Sequence, residues 1–247
     1  MTRRRWIADE VSDTRASLTG DHADHLIRVL RARIGQQFDI VAAGVVRSGR
    51  IIKMTEGRVE FELGEEIQSA PAANLTLLLS IFKFDRMEWA IEKCTELGVS
   101  KIVPLMARRT DAHLASAATK RVERWRRIAV QSSEQSRRTM PPEISEPLEV
   151  RDAVVLPGRW RIVLSESEQD AQLTDIIHEP TGEAVLAIGP EGGWTEVELK
   201  LFRESGWSSA TLGDTILRAE TAAIAATVLA LSILSKYRQN FCRRGCL

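Results

Sequence analysis

The run AVLAI at residues 184–188 passes directly into Gly189-Pro190-Glu191-Gly192-Gly193, and no other stretch restricts the fold as strongly. A short unbroken apolar run matches one strand buried on both faces, the kind that parallel sheets use. Glycines at the end of such a strand let the backbone turn sharply and let a ligand approach the main chain. Thr195 followed by Glu198 has the spacing of a capping box, so a helix is expected to start where the loop stops. A second apolar run, Ala210 to Leu212, leads into Gly213-Asp214, and Ile216-Leu217-Arg218-Ala219-Glu220-Thr221 then opens an expected long Ala-rich helix to Lys236. Two glycine turns that close strands and are separated by one helix face the same edge of a parallel sheet, the edge at which open α/β sheets bind ligands. One such turn alone is better explained as a tight connection; the pair favours a site.

The ligand class follows by exclusion. A phosphate loop needs a Gly-Lys-Ser/Thr ending and the dinucleotide fingerprint needs G-x-G-x-x-G; neither fits here. The loops carry no lysine, so a polyphosphate finds little charge. A purine edge hydrogen-bonded to main-chain groups, with a flat apolar slot for the ring, suits them better.

Hydrophobic content of 44% and charged content of 28% over 247 residues describe an ordinary globular chain with room for one or two domains. No apolar run approaches the length of a membrane span, and Met1-Thr2-Arg3-Arg4-Arg5 leads into no signal-peptide core, so no membrane partner and a cytoplasmic location are expected. Cys94, Cys242 and Cys246 give neither a disulfide framework nor a zinc spacing, and no metal is expected. The net charge is zero but segregated: residues 101–138 hold ten Lys/Arg against three Asp/Glu, and residues 143–204 hold fourteen acids against five bases. Such segregation gives one face a positive field suited to nucleic acid, or is spread around solvated helix faces.

In chain order, Gln37–Val46, Gly49–Met54 and Arg58–Leu63 read as short strands of a small barrel, and the segment His25–Arg31 before them as a helical turn with Arg28 and Arg31 on one face. Ser69–Ala73 is the linker. Leu75–Phe82 opens a second domain; Asp85 with Glu88 is expected to cap a helix that buries Met87, Ile91 and Cys94 and ends at Leu97-Gly98. Lys101–Leu105 is the next strand. Ala115–Arg138 reads as one long basic helix stopped by Pro141-Pro142, with Val122, Trp125, Ile128 and Ala129 buried. Trp160–Ser165 is a further strand whose end, Leu164-Ser165-Glu166, is a third candidate ligand loop, and Asp170–His178 a short helix. From the residues alone, Arg28 and Arg31 are surface arginines as readily as phosphate ligands, and Glu166 a surface acid as readily as a ribose ligand.

The sequence IGPEGG followed by LGxxILRxETA, in residues 188–193 and 212–222, closely resembles the 16S ribosomal RNA (uracil-N3)-methyltransferases of the SPOUT class. The HxxRVLR segment at 25–31 and KFDRMEWAIEKCTELGVSKIVPL at 83–105 resemble the same family in matching order, so the likeness covers nearly the whole chain. It implies an α/β protein: a small N-terminal PUA-like β-barrel that binds RNA over residues 1–70, then a SPOUT methyltransferase domain over 74–247 with a parallel sheet and a deep trefoil knot. It implies S-adenosylmethionine as cofactor, S-adenosylhomocysteine as product, no metal, a homodimer, and 16S ribosomal RNA of the small subunit as partner.

Carried over residue by residue, the resemblance puts Leu164, Ile188, Gly189, Pro190, Glu191, Gly192, Gly193, Leu212, Gly213, Ile216, Leu217, Glu220 and Thr221 on the cofactor. It puts His25, Arg28, Arg31 and Gln135 on RNA, where Arg3, Arg4 and Arg5 could also grip phosphates, and it makes Glu134 and Arg138 catalytic candidates, to which the chemistry of the reaction adds Arg218. Arg137 adjoins Arg138, so the substrate arginine is one of two. Methylation of a uracil nitrogen needs its proton removed and the developing charge on the carbonyl oxygens stabilised, which an arginine can do. Glu134, Glu191 and solvent are the candidate proton acceptors. The other readings are a related enzyme acting on another RNA position, such as a ribose 2′-hydroxyl, and a non-catalytic RNA-binding assembly factor.

Overall fold

The computed structural model describes residues 5–67, 74–136, 138–178 and 183–244, the last ten by backbone alone. The expected linker, Ser69–Ala73, therefore lies outside the described residues, as do Arg4 and Arg137. The chain divides into two compact units: Met1–Pro71 with Ser133–Pro141, and Ala72–Ser132 with Pro142–Leu247.

In the first unit, β1 (Arg5–Ile7), β2 (Glu10–Val11) and β3 (Arg15–Thr19) precede α1 (Gly20–Asp24), which runs on into a single π turn at His25–Val29. Then come β4 (Gln37–Ala42), β5 (Val45–Thr55) and β6 (Arg58–Glu66). The sheet order is β1-β4-β5-β6-β3-β2, antiparallel except for β1 beside β4. The expected first strand ran through Val46, but the chain turns at Ala43 and Gly44, both with positive φ (50° and 82°), as a tight right-twisted hairpin demands. Inward residues Leu18, Leu26, Ile40, Ile51, Val59 and Phe61 close the core.

The second unit is built on a parallel sheet. Its elements are β7 (Leu75–Ser80), α2 (Phe84–Leu97), β8 (Lys101–Met106), α3 (Ala112–Ala118) and α4 (Val122–Gln135). They continue with β9 (Glu143–Ile144), β10 (Leu148–Glu149), α5 (Val150–Ala153), β11 (Trp160–Leu164), α6 (Leu173–Ile176), β12 (Ala184–Ile188), α7 (Glu196–Glu204), β13 (Ser208–Ala210) and α8 (Ala219–Arg244). Strand order is β10-β8-β7-β12-β11-β13, with β9 also on β8 and every pair parallel. Every residue of β12 is buried, which is why its sequence is an unbroken apolar run. α8 packs its alanines against α2 and β7, and Ala223, Ala226 and Ala230 are buried.

Several local expectations are corrected. Asp85 and Glu88 do not cap α2: its N-cap is Lys83, and Glu88 instead receives Arg124 through Nε at 2.6 Å and Nη2 at 2.8 Å. The basic helix is not continuous from Ala115 to Arg138. α3 starts earlier because the Asp111 side chain accepts from the amides of His113 and Leu114, a 3₁₀ turn at Thr119–Arg121 separates α3 from α4, and α4 ends at Gln135. The short helix expected over Asp170–His178 is confined to α6. Arg28 and Arg31 do not share a helical face, since the helix ends at Val29 and Arg31 has φ of +49°.

Candidate functional site

The loops leaving the carboxyl ends of β11, β12 and β13 lie side by side, because those strands are neighbours in the sheet, and together they wall a cleft of about 880 Å³. The second and third of these loops are the two glycine turns; the first, Ser165–Gln169, lies between them. β13 ends at Ala210 rather than Leu212, and α8 begins at Ala219 rather than Ile216. The eight residues between them are left as irregular backbone that lines the cleft.

Each loop is held by its own sequence. In the β12 loop, the Gly193 amide donates to the Pro190 carbonyl at 2.8 Å, and Gly193 takes φ of +68°, a conformation that excludes most side chains. The Thr195 hydroxyl accepts from the Glu198 amide while Glu198 accepts from the Thr195 amide at 2.9 Å and hydroxyl at 2.7 Å, so the expected capping box starts α7 at the loop's end. The other oxygen of Glu198 accepts from the Arg108 amide at 2.7 Å, and Arg109 Nη1 donates to the Gly192 carbonyl at 2.6 Å. The β8–α3 connection is thereby fastened to the glycine loop. On the other side Arg86 Nη1 reaches Glu191 at 2.7 Å and its Nε lies 3.8 Å from the buried Glu220. In the β11 loop the Asp170 amide donates to Glu168 at 3.1 Å, and that bond holds the Glu168 carboxyl below the usual carboxylate range.

Chemically the cleft combines apolar walls (Leu164, Ile188, Leu212, Leu217) with main-chain groups of three loops and a charged rim that carries Glu166, Glu168, Glu191, Glu196 and Asp214 beside Arg86 and Arg109. That combination offers the ring of a nucleoside apolar faces and its edge main-chain partners. The Arg218 side chain also lines the cleft, exposed, and makes neither hydrogen bond nor ion pair among the described residues. No group of His, Cys, Asp and Glu suited to a metal ion occurs among the described residues.

A family described as RNA methyltransferase domain matches residues 68–231. The ribosomal RNA small subunit methyltransferase E of Mycobacterium bovis is 31% identical over 239 residues, covering 92% of this chain and 90% of the relative. The chain belongs to this family of RNA methyltransferases. The protein of the same name from Mesomycoplasma hyopneumoniae is 31% identical over 176 residues, 70% of this chain and 77% of its own. The crystal structure of ribosomal RNA small subunit methyltransferase E from Neisseria gonorrhoeae bound to S-adenosyl methionine superposes with a TM-score of 0.83 at 31% identity, covering 94% of this chain and 98% of that one.

Of the family-motif residues, Leu164, Ile188, Gly189, Pro190, Glu191, Gly193, Leu212, Gly213, Ile216, Leu217 and Arg218 line the one cleft. Gly192, Glu220 and Thr221 do not: Gly192 supplies the carbonyl for Arg109, Glu220 is buried beside Arg86, and Thr221 is exposed on α8. Glu134, Gln135 and Arg138 do not line it either and group with the first unit, where Glu134 lies 3.5 Å from His22 Nε2. Burial pushes the half-buried Arg138 guanidinium down to about 10, which leaves it charged at neutral pH. In the first unit Arg28 and Arg31 are exposed, Arg28 within 3.7 Å of Asp24 and 3.8 Å of Glu56, while the half-buried His25 packs its ring on Trp6 at 5.7 Å. Arg5 lies on β1. Sequence reading missed Arg86, Arg109 and Trp194. Arg86 and Arg109 reach the glycine loop from 105 and 83 residues away, a pairing that no local spacing encodes.

Proposed function

We propose that this chain methylates N3 of a uridine in the 16S ribosomal RNA of the small ribosomal subunit, with S-adenosylmethionine as donor and S-adenosylhomocysteine as product. The observation that carries the reading is the cleft itself: three strand-end loops with apolar walls and a rim of mixed charge, in a chain similar along its length to a relative bound to S-adenosyl methionine. The donor supplies an electrophilic methyl group. The glycine loop and the Leu212–Leu217 segment grip the adenosyl moiety through peptide atoms, Glu166 accepts from ribose hydroxyls, and Arg218 faces the uracil carbonyl oxygens, where its free guanidinium stabilises developing negative charge. Holding donor and base in line contributes several kcal/mol, about 7–11 in the best intramolecular cases. Glu134, Gln135 and Arg138 are our candidates on the RNA side, with Glu134 or Glu191 as proton acceptor.

The finer architecture belongs to the same reading. Residues 1–70 form a PUA-like RNA-binding barrel, with Arg4, Arg5, His25, Arg28 and Arg31 toward the phosphates, and residues 74–247 the SPOUT methyltransferase domain. A deep trefoil knot is supported by connectivity: β13 lies outside β11, yet α8 returns across β12 and β7. In this reading the enzyme works as a homodimer in the cytoplasm. Among the described residues no helix is long and apolar enough to cross a membrane. The test is nucleoside mass spectrometry of 16S ribosomal RNA from a strain lacking this gene. Loss of 3-methyluridine, restored by the gene and not by an Arg218→Ala version, is expected. Persistence of 3-methyluridine with loss of a different methylated nucleoside would overturn the assignment.

A further inference from the structure

Resting on the reading that the cleft holds an adenosyl group, we propose that Trp194 is a positioning residue that sets the width of the slot between the β11 and β12 loops. Its buried indole lines the cleft and touches both walls. Nε1 donates to the carbonyl of Leu164, the last residue of β11, at 2.9 Å. The other contact is with Gly189, the first residue after β12: a Cβ built there would stand 3.1 Å from Nε1 and 3.2 Å from Cε2. That is tighter than most Cβ contacts, so a side chain at position 189 would push the indole back by a few tenths of an ångström. One rigid ring thus spaces the end of one strand from the start of the next loop, across the gap that a purine would enter.

The ring does not stand alone. Trp194 meets Phe202 edge-on at 5.1 Å, and Phe202 meets Trp207 at 5.0 Å. Trp207 Nε1 donates to the Val154 carbonyl at 2.9 Å. The two ends of this aromatic column make the same kind of indole-to-carbonyl bond, both buried, but only the Trp194 end lines the cleft. A role in stability alone makes the two bonds interchangeable in effect; a positioning role does not.

The experiment compares Trp194→Phe with Trp207→Phe in the full chain, by thermal melting, calorimetry with S-adenosylhomocysteine and steady-state kinetics. Trp194→Phe keeps an aromatic ring in the column and loses the N–H. It is expected to weaken S-adenosylhomocysteine binding roughly tenfold, the effect of losing one ordinary hydrogen bond. KM for S-adenosylmethionine rises with it, while kcat stays within about twofold. Trp207→Phe should lower the melting temperature by a similar amount and leave affinity unchanged. Equal affinities in both variants, or equal losses, would overturn the proposal. Gly189→Ala, which crowds the indole from the opposite wall, is the second probe should Trp194→Phe not fold, and it too must weaken binding. An unaltered chain that binds no S-adenosylhomocysteine removes the cofactor reading itself, before any variant is compared.

Discussion

At the scale of single residues, the glycines of the 189–193 loop stand in three unlike settings. Gly189 makes room for an indole, Gly193 needs its left-handed φ, and Gly192 has an ordinary backbone with a would-be Cβ 3.4 Å from the movable Arg109 side chain. Gly193→Ala therefore meets both strain, about 1–2 kcal/mol, and the Glu166 carboxylate at 3.1 Å. It should lose stability and S-adenosylhomocysteine affinity together, whereas Gly192→Ala should stay within about 0.5 kcal/mol of the parent. Paired melting curves and calorimetry decide this, and an indifferent Gly193→Ala contradicts it. Cys94 gives a second residue-level prediction. Burial between α2 and α8 pushes its thiol up to about 12, with only the Thr227 hydroxyl, at 3.5 Å, opposing the shift. A folded pKa above the unfolded one means its contribution to stability is whole below the ordinary thiol range and is lost as pH climbs toward 12. At pH 8 a thiol reagent should leave Cys94 unmodified in the folded chain and modify it in denaturant, read per site by mass spectrometry.

At the scale of elements, α7 shows how far local spacing can be trusted. Thr195 and Glu198 form the capping box that their spacing predicts, while Asp85 and Glu88, equally spaced, do not. The difference is tertiary: Glu88 has the Arg124 guanidinium within reach, a stronger partner for a largely buried carboxylate than a lone amide. Glu198 in turn is 3% exposed and accepts from Thr195 and from the distant Arg108 amide, so it fastens two loops as well as capping a helix. Glu198→Ala removes three hydrogen bonds to part-buried donors and should cost about 2–3 kcal/mol by urea unfolding, against about 1 for Thr195→Ala. Equal costs would mean that the Arg108 bond adds nothing. The 3₁₀ break between α3 and α4 was not legible, because the basic residues around it keep the same solvated pattern on either side.

At the scale of the molecule, function depends on which loops the sheet brings together. If residues 1–70 bind RNA, the exposed Arg28 and Arg31 should each contribute to the salt dependence of binding; the double alanine variant should lower the slope of log K against log salt by roughly 0.7 for every phosphate it leaves without a cation. An unchanged slope would remove them from the interface. The sequence by itself determined the parallel strand of residues 184–188, its glycine turn, the helix after it and the second turn at Gly213, because burial on both faces, a left-handed φ and a capping box are each written in neighbouring residues. It also carried the family resemblance. Only the tertiary structure decided that β11 stands between β12 and β13, that residues 211–218 stay irregular, that Arg86 and Arg109 close on the glycine loop, and that Trp194 reaches the end of β11. Those contacts join residues 30 to 105 positions apart. Strand order selects such partners, and strand order is settled by how whole faces pack, which no short stretch of sequence encodes.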